Sequence, residues 1–208
     1  MYDYLRDPQA IYARSFEHVR ESTDLRAVPA ALHTMALRLV HACGMPEIVD
    51  DLVSRGDAPV AVHAALEAGA PLLVDCEMLR HGIIRARLPG DNPIVCTLNA
   101  PGVRERASQL GTTRSAAAVE LWQPQLRGAV VAIGNAPTAL FRLLEGLQEG
   151  WPKPAAILGF PVGFVGSAES KQALIESCGD IPCVALRGRR GGSALAAAAV
   201  NACVGVLS

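Results

Sequence analysis

Residues 129–138 read Ala-Val-Val-Ala-Ile-Gly-Asn-Ala-Pro-Thr: five apolar residues, a glycine turn, and a proline placed to open the next segment. A short, fully apolar run that ends on Gly-Asn and passes into helix-competent sequence is the pattern of a buried parallel strand feeding a helix. The same grammar recurs on both sides. Apolar runs at 71–74, 94–97, 155–160 and 183–186 predict further strands, and the intervening stretches 75–81, 113–126, 136–148, 168–178 and 194–206 predict helices. This alternation predicts a single α/β domain over 1–208, with a mainly parallel central sheet flanked by helices.

Upstream, residues 1–58 predict a helical N-terminal portion packed on the α/β core. Asp7-Pro8 offers a capping side chain followed by proline at the first helical position, and Ile11, Phe16 and Val19 keep one face apolar. From 30 to 43, Leu32, Met35, Ala36, Leu39 and Val40 recur at helical spacing, with Gly44 as the stop. A further helix is expected over 59–68, closed by Gly69.

Composition removes several function classes. The 208 residues carry 19 Lys and Arg against 20 Asp and Glu, a net charge of -1, so no basic surface calls for nucleic acid. Aromatic residues make up 4%, too few for base-stacking platforms. No window holds the roughly 20 strongly apolar residues that cross a bilayer, and the N-terminus lacks a secretory pattern, so no membrane partner and a cytoplasmic location are expected. The six cysteines, at 43, 76, 96, 178, 183 and 203, lack paired CxxC spacing and are expected to be buried free thiols, with no metal and no cofactor. GxSxG, HExxH, GxGxxG and GxxxxGK[ST] are all absent, which argues against a serine-hydrolase elbow, a zincin, and a nucleotide- or S-adenosylmethionine-dependent enzyme.

Three glycine-rich turns follow predicted strands, and in open α/β sheets ligands bind at the carboxyl ends of strands. Gly134 to Thr138 can cradle an anion with backbone amides at a helix start; Gly159 to Ser167 and Arg187 to Ser193 are the other two. Each reads equally well as a plain strand-to-helix turn. Arg38 and His41 lie three apart, so they share a face near the end of one helix. An imidazole there can give or take a proton near neutrality, although on pattern alone a structural histidine is the commoner case.

Taken together, the motifs resemble the precorrin-8X methylmutase family, also called precorrin isomerases, over nearly the whole chain. The residues that carry the resemblance are Arg6-Asp7-Pro8 with Tyr12-Ala13-Arg14-Ser15-Phe16, Val40-His41-Ala42-Cys43-Gly44, Thr113-Arg114-Ser115, Gly134-Asn135-Ala136-Pro137-Thr138, and Gly159 through Lys171, closed by Gly191-Gly192-Ser193. The resemblance implies an isomerase that moves a methyl group from C11 to C12 of a tetrapyrrole, with His41 as the proton donor. It implies substrate contacts at Ser15 and Arg38. Arg114, Asn135, Thr138, Ser167 and Lys171 are the further expected substrate-binding residues, because a flat ring fringed by carboxylates needs an apolar cleft edged by cations and polar donors. A homodimer and hand-over of product to the next pathway enzyme are implied as well. A non-catalytic tetrapyrrole carrier is the competing reading, and metal-free or cobalt-containing substrate remains open.

Overall fold

The strand after residue 129 sits at the middle of a six-stranded sheet in a computed structural model that describes residues 2–204. Along the chain the elements are α1 (Pro8–Ser22), α2 (His33–Cys43), β1 (Leu52–Arg55), α3 (Ala58–Glu67), β2 (Leu72–Val74), α4 (Glu77–Gly82), β3 (Ile94–Cys96), α5 (Val103–Gln109), α6 (Arg114–Glu120), β4 (Val130–Ile133), α7 (Pro137–Gln148), β5 (Ala156–Gly159), α8 (Ser167–Ser177), β6 (Cys183–Leu186) and α9 (Ser193–Cys203). The spatial order is β1-β6-β5-β4-β2-β3. All neighbours are parallel except β1, which runs antiparallel to β6 with Leu52 opposite Leu186.

Strand side chains alternate between two apolar layers, as a period of two demands. Leu72, Val74, Val130 and Ala132 enter the layer that includes residues of α2, α3, α4 and α9. Leu73, Val131 and Ile133 enter the layer formed with residues of α7 and α8 and with Trp122. Each large side chain taken fully from water contributes about 1.5–3 kcal/mol, so both faces of the sheet must be covered, and that is the doubly wound arrangement.

The expected helix starts hold where a cap enforces them. Asp7 Oδ1 accepts from the Ala10 amide at 2.6 Å at the start of α1, with Pro8 behind it. Gly44 ends α2 at φ 69°, a left-handed conformation, and its N–H donates to Val40 O at 2.7 Å.

Three expectations need correction, and one helix was unforeseen. The N-terminal portion is not wholly helical: β1 forms from Leu-Val-Ser-Arg, an edge strand too short and too polar outside to show a period. The helix expected over 113–126 ends at Glu120, because Pro124 disfavours helix at Gln123, and the chain passes through a 3-10 turn at Gln123–Gln125 that buries Trp122. α5 was not expected at all; its Gly102 start carries no side-chain cap. The expected final helix, 194–206, is Ser193–Cys203, and its last predicted residue, Val206, lies outside the described residues.

Candidate active site

Strand order reverses between β2 and β4, and the crevice at such a switch point is where open α/β sheets commonly take a ligand. Here the protein fills that crevice itself. Asp75, directly after β2, accepts hydrogen bonds from the Gly134, Asn135 and Ala136 amides at 2.9, 2.9 and 2.8 Å. The anion cradle anticipated after residue 133 therefore exists and already holds a buried carboxylate. Burial pushes the Asp75 carboxyl up from its ordinary range, and the three amides pull against that.

Open space lies instead where α2 meets α9. Helix α9 is rich in alanine and shares one apolar layer with α2, and its Ala197 and Ala196 methyls meet the close-packed Gly82 and Gly134. The last turn of α2 then presents His41 at the surface, with Arg38 one turn earlier. His41 is held from the side by α1. Ser15 Oγ lies 3.0 Å from its Nδ1, and the Phe16 ring stacks on the imidazole at 4.6 Å between centroids and 20° between planes. Tyr12 meets it edge-on at 6.0 Å, and the Arg38 guanidinium stands 5.7 Å from the Phe16 ring.

His41 and Arg38 line a cavity of about 330 Å³ together with Tyr12, Ile84 and Arg87. A second cavity of about 410 Å³ adjoins it, lined by Met45, Phe164, Arg189 and Leu195, among others. Ala42 and Ala194 belong to both, so two methyl groups form the low saddle between them. Phe164 is 85% exposed beside the second cavity, with the Arg189 guanidinium 5.3 Å from its ring. The result is an open, largely apolar bowl edged by arginines, with one imidazole in its wall.

The other expected residues divide into two groups. Asn135 is exposed on the β4–α7 turn, and Thr138 Oγ1 pairs with Thr113 Oγ1 at 2.8 Å, next to Arg114 at the start of α6. None of the three lines the two cavities of the bowl, and Arg114 lines a separate one with Asn99 and Glu105. Ser167 and Lys171 do not reach any rim. Ser167 is fully buried, and its hydroxyl donates to Pro161 O at 2.9 Å. Lys171 is also buried; its ammonium donates to Pro161 O at 3.1 Å and Arg190 O at 2.6 Å, which staples the β5–α8 loop to the β6–α9 loop. Burial pushes the Lys171 ammonium down to about 8, with Asp51 opposing the shift. Both residues fix loops whose residues line the second cavity.

Arg190 carries that scaffold further. Its guanidinium donates to Asp51 at 2.6 Å and to Glu47 at 3.2 Å, tying the loop before α9 to the segment after α2. All six cysteines are unpaired, and four of them are buried. Among the described residues no three His, Cys, Asp or Glu side chains converge as a metal site would need, and no helix is long and apolar enough to cross a membrane.

Tyr12 and Arg87 are among the wall residues that the sequence reading did not assign to the site. Tyr12 lies three positions before Ser15 on α1, a spacing that places both on one helical face and was legible. Arg87 sits on an isolated 3-10 turn, Arg85–Arg87, and no pattern marks it.

Comparison with known proteins identifies the family and the fold. The family model for CbiC, precorrin-8X methylmutase, matches residues 10–206. The chain is 56% identical to the precorrin-8X methylmutase of Pseudomonas aeruginosa over 97% of either chain. It is 54% identical to that of a Sinorhizobium species, over 96% of this chain and 95% of the relative. The crystal structure of precorrin-8X methylmutase from Thermus thermophilus superimposes with a TM-score of 0.85 at 36% identity, covering 94% of each chain. With its family matched over almost the full length and its fold shared, this chain belongs to the precorrin-8X methylmutases, isomerases of cobalamin biosynthesis.

Proposed function

We propose that the bowl between α2 and α9 binds the tetrapyrrole precorrin-8X and that His41 is the acid that starts its methyl migration. The observation that carries this reading is the imidazole itself: exposed in a cavity wall, stacked on Phe16 and hydrogen-bonded through Nδ1 to Ser15. As the acid the ring is the imidazolium: Nδ1–H donates to Ser15 Oγ, and Nε2–H faces the ligand and is the proton given up, which leaves a neutral imidazole.

That proton passes to the ring C pyrrole nitrogen of the bound macrocycle. The conjugated system becomes electron-poor, the bond between the methyl group and C11 breaks as the bond to C12 forms, and the proton is released again. No electrons leave the substrate and no external methyl donor is consumed. The apolar floor accepts the flat ring, and arginines at the edge suit its carboxylates. Arg38, one helical turn from His41, is a carboxylate clamp in this reading, and Ser15 orients the acid. Asn135, Thr138 and Arg114 serve substrate from the neighbouring turn, beyond the two cavities of one chain. The protein works in the cytoplasm as a homodimer, and the product passes to the next enzyme of the pathway. The metal-free substrate is favoured, since the relatives at 56% and 54% identity are both named for precorrin-8X.

The test is His41→Ala with each macrocycle, metal-free and cobalt-containing, followed by visible absorbance. The variant is expected to retain tight binding and lose turnover. Undiminished isomerisation would remove His41 from the mechanism, and equal silence from wild type and variant would favour a carrier over an enzyme.

A further inference from the structure

Two polar atoms in the wall of the His41 cavity are buried and have no hydrogen-bond partner among the described residues: the Tyr12 hydroxyl and Nη1 of Arg87. Buried polar groups are nearly always paired, and a buried charged donor left unpaired is costly. They belong to residues from unrelated parts of the chain, α1 and the Arg85–Arg87 turn, that line one cavity, the two atoms lying just beneath its open surface. Among the described residues Arg87 makes no ion pair, and no Asp or Glu lines the cavity.

The rest of the wall sharpens the point. Asn201, also in it, is already committed: its Nδ2 donates to Gly82 O at 3.0 Å and its Oδ1 accepts from the Ile84 amide at 2.9 Å, which fixes the turn leading to Arg87. Ala197, Ala198 and Ile84 supply apolar sides. A pocket with hydrocarbon walls, a basic end and no acid suits an anion on a hydrocarbon stem. At about 330 Å³ it lies at the small end of ligand pockets, about 300–1,000 Å³, so it suits one substituent of a macrocycle better than the ring.

We propose that Arg87, helped by the Tyr12 hydroxyl, forms a carboxylate subsite that receives one acidic arm of the substrate and so sets the orientation of the ring over His41. This rests on the tetrapyrrole reading above.

The experiment titrates wild type, Arg87→Met, Arg87→Gln, Arg87→Lys and Tyr12→Phe with the proposed product, followed by its visible spectrum. A second probe is the same macrocycle with its acid arms converted to primary amides. Arg87→Met and Arg87→Gln are expected to raise Kd by about 10- to 100-fold, the loss of a charge-assisted pair, and to lower kcat at saturation as well, because the ring is no longer held in register over His41. Arg87→Lys recovers most of the affinity. Tyr12→Phe weakens binding by about 2- to 10-fold with no loss of melting temperature, because it deletes an unpaired atom. The amide probe binds wild type more weakly than the acid does, and that difference shrinks in Arg87→Met.

Unchanged Kd in Arg87→Met, or an acid-to-amide difference as large in that variant as in wild type, overturns the subsite. So does a change of oligomeric mass on substitution, which would assign the guanidinium to a subunit contact, or failure of both neutral variants to fold. Wild type that takes up neither macrocycle would instead sink the tetrapyrrole reading, before any variant is compared.

Discussion

Gly191→Ala tests how tightly the floor of the bowl is built. A β-carbon at Gly191 would stand 2.4 Å from both Phe160 O and Pro161 O, backbone atoms of the adjoining loop. Ordinary carbon-to-oxygen contacts begin at about 3.3 Å, so the two loops must part by roughly 0.9 Å. Overpacking of that kind costs about 1–3 kcal/mol. The shift also strains the bond from the Gly192 amide to Phe160 O, now 2.8 Å, which contributes about 0.5–1.5 kcal/mol. The sum is about 2–4 kcal/mol, or roughly 5 to 15 °C in melting temperature for a chain of this size. Gly188→Ala is the control: it has φ 76° but nothing within 4 Å of its added carbon, so only the backbone penalty of about 1 kcal/mol applies. Thermal melts by circular dichroism read both variants, and titration with the macrocycle reads the displaced wall. A Gly191→Ala protein that melts within about 2 °C of wild type, or no lower than Gly188→Ala, would refute the reasoning.

Ser15→Ala removes the partner of His41 Nδ1, and loss of one hydrogen bond of about 0.5–1.5 kcal/mol should lower kcat by roughly 2- to 12-fold with KM little moved. Rates from visible absorbance check it, and an unchanged kcat denies Ser15 its orienting role. Asp7→Ala deletes the α1 cap and should cost about 1 kcal/mol, seen as a lower melting temperature and faster amide exchange in the first turn of α1. Alkaline stability depends on buried thiols. Burial pushes Cys203 up to about 12 and Cys96 to about 11, and Cys183 higher still, so their stabilisation is complete below the unfolded thiol range near 9 and is lost as pH rises toward the folded values. Lys171, pushed down to about 8, works the other way between 8 and its ordinary 10.5, but it is one group against three. Wild-type stability should therefore fall above about pH 9, and Cys203→Ala should flatten that fall by up to about 1.4 kcal/mol per pH unit. Denaturant melts from pH 8 to 10.5 decide it.

The parallel strands and the long helices were legible because burial on both faces leaves unbroken apolar runs and caps leave fixed residues, as at 129–133 and Asp7-Pro8. β1 was not, since its partner lies some 130 positions away and its own four residues carry no period. Spacing placed His41 on one helical face with Arg38, but its role as proton donor came only from the family resemblance; its neighbour Tyr12 could have followed from helical geometry. Arg87 could not, because its place in the wall is set by Asn201 of α9 bonding back to the Gly82–Ile84 turn, a tertiary contact with no local trace. Ser167 and Lys171 misled because hydroxyl and ammonium groups near a glycine turn look alike from sequence whether they face solvent or serve buried carbonyls.

The docking of α2 on α9 has a bearing on biosynthesis of the enzyme itself. Helix α2, bearing the imidazole, leaves the ribosome early, but the opposite side of its cavity comes from residues 194–201. Until those residues emerge the enclosure proposed for the tetrapyrrole is missing one wall. A chain that stops before Ser193 therefore lacks the whole α9 wall of the cavity proposed to hold the substrate.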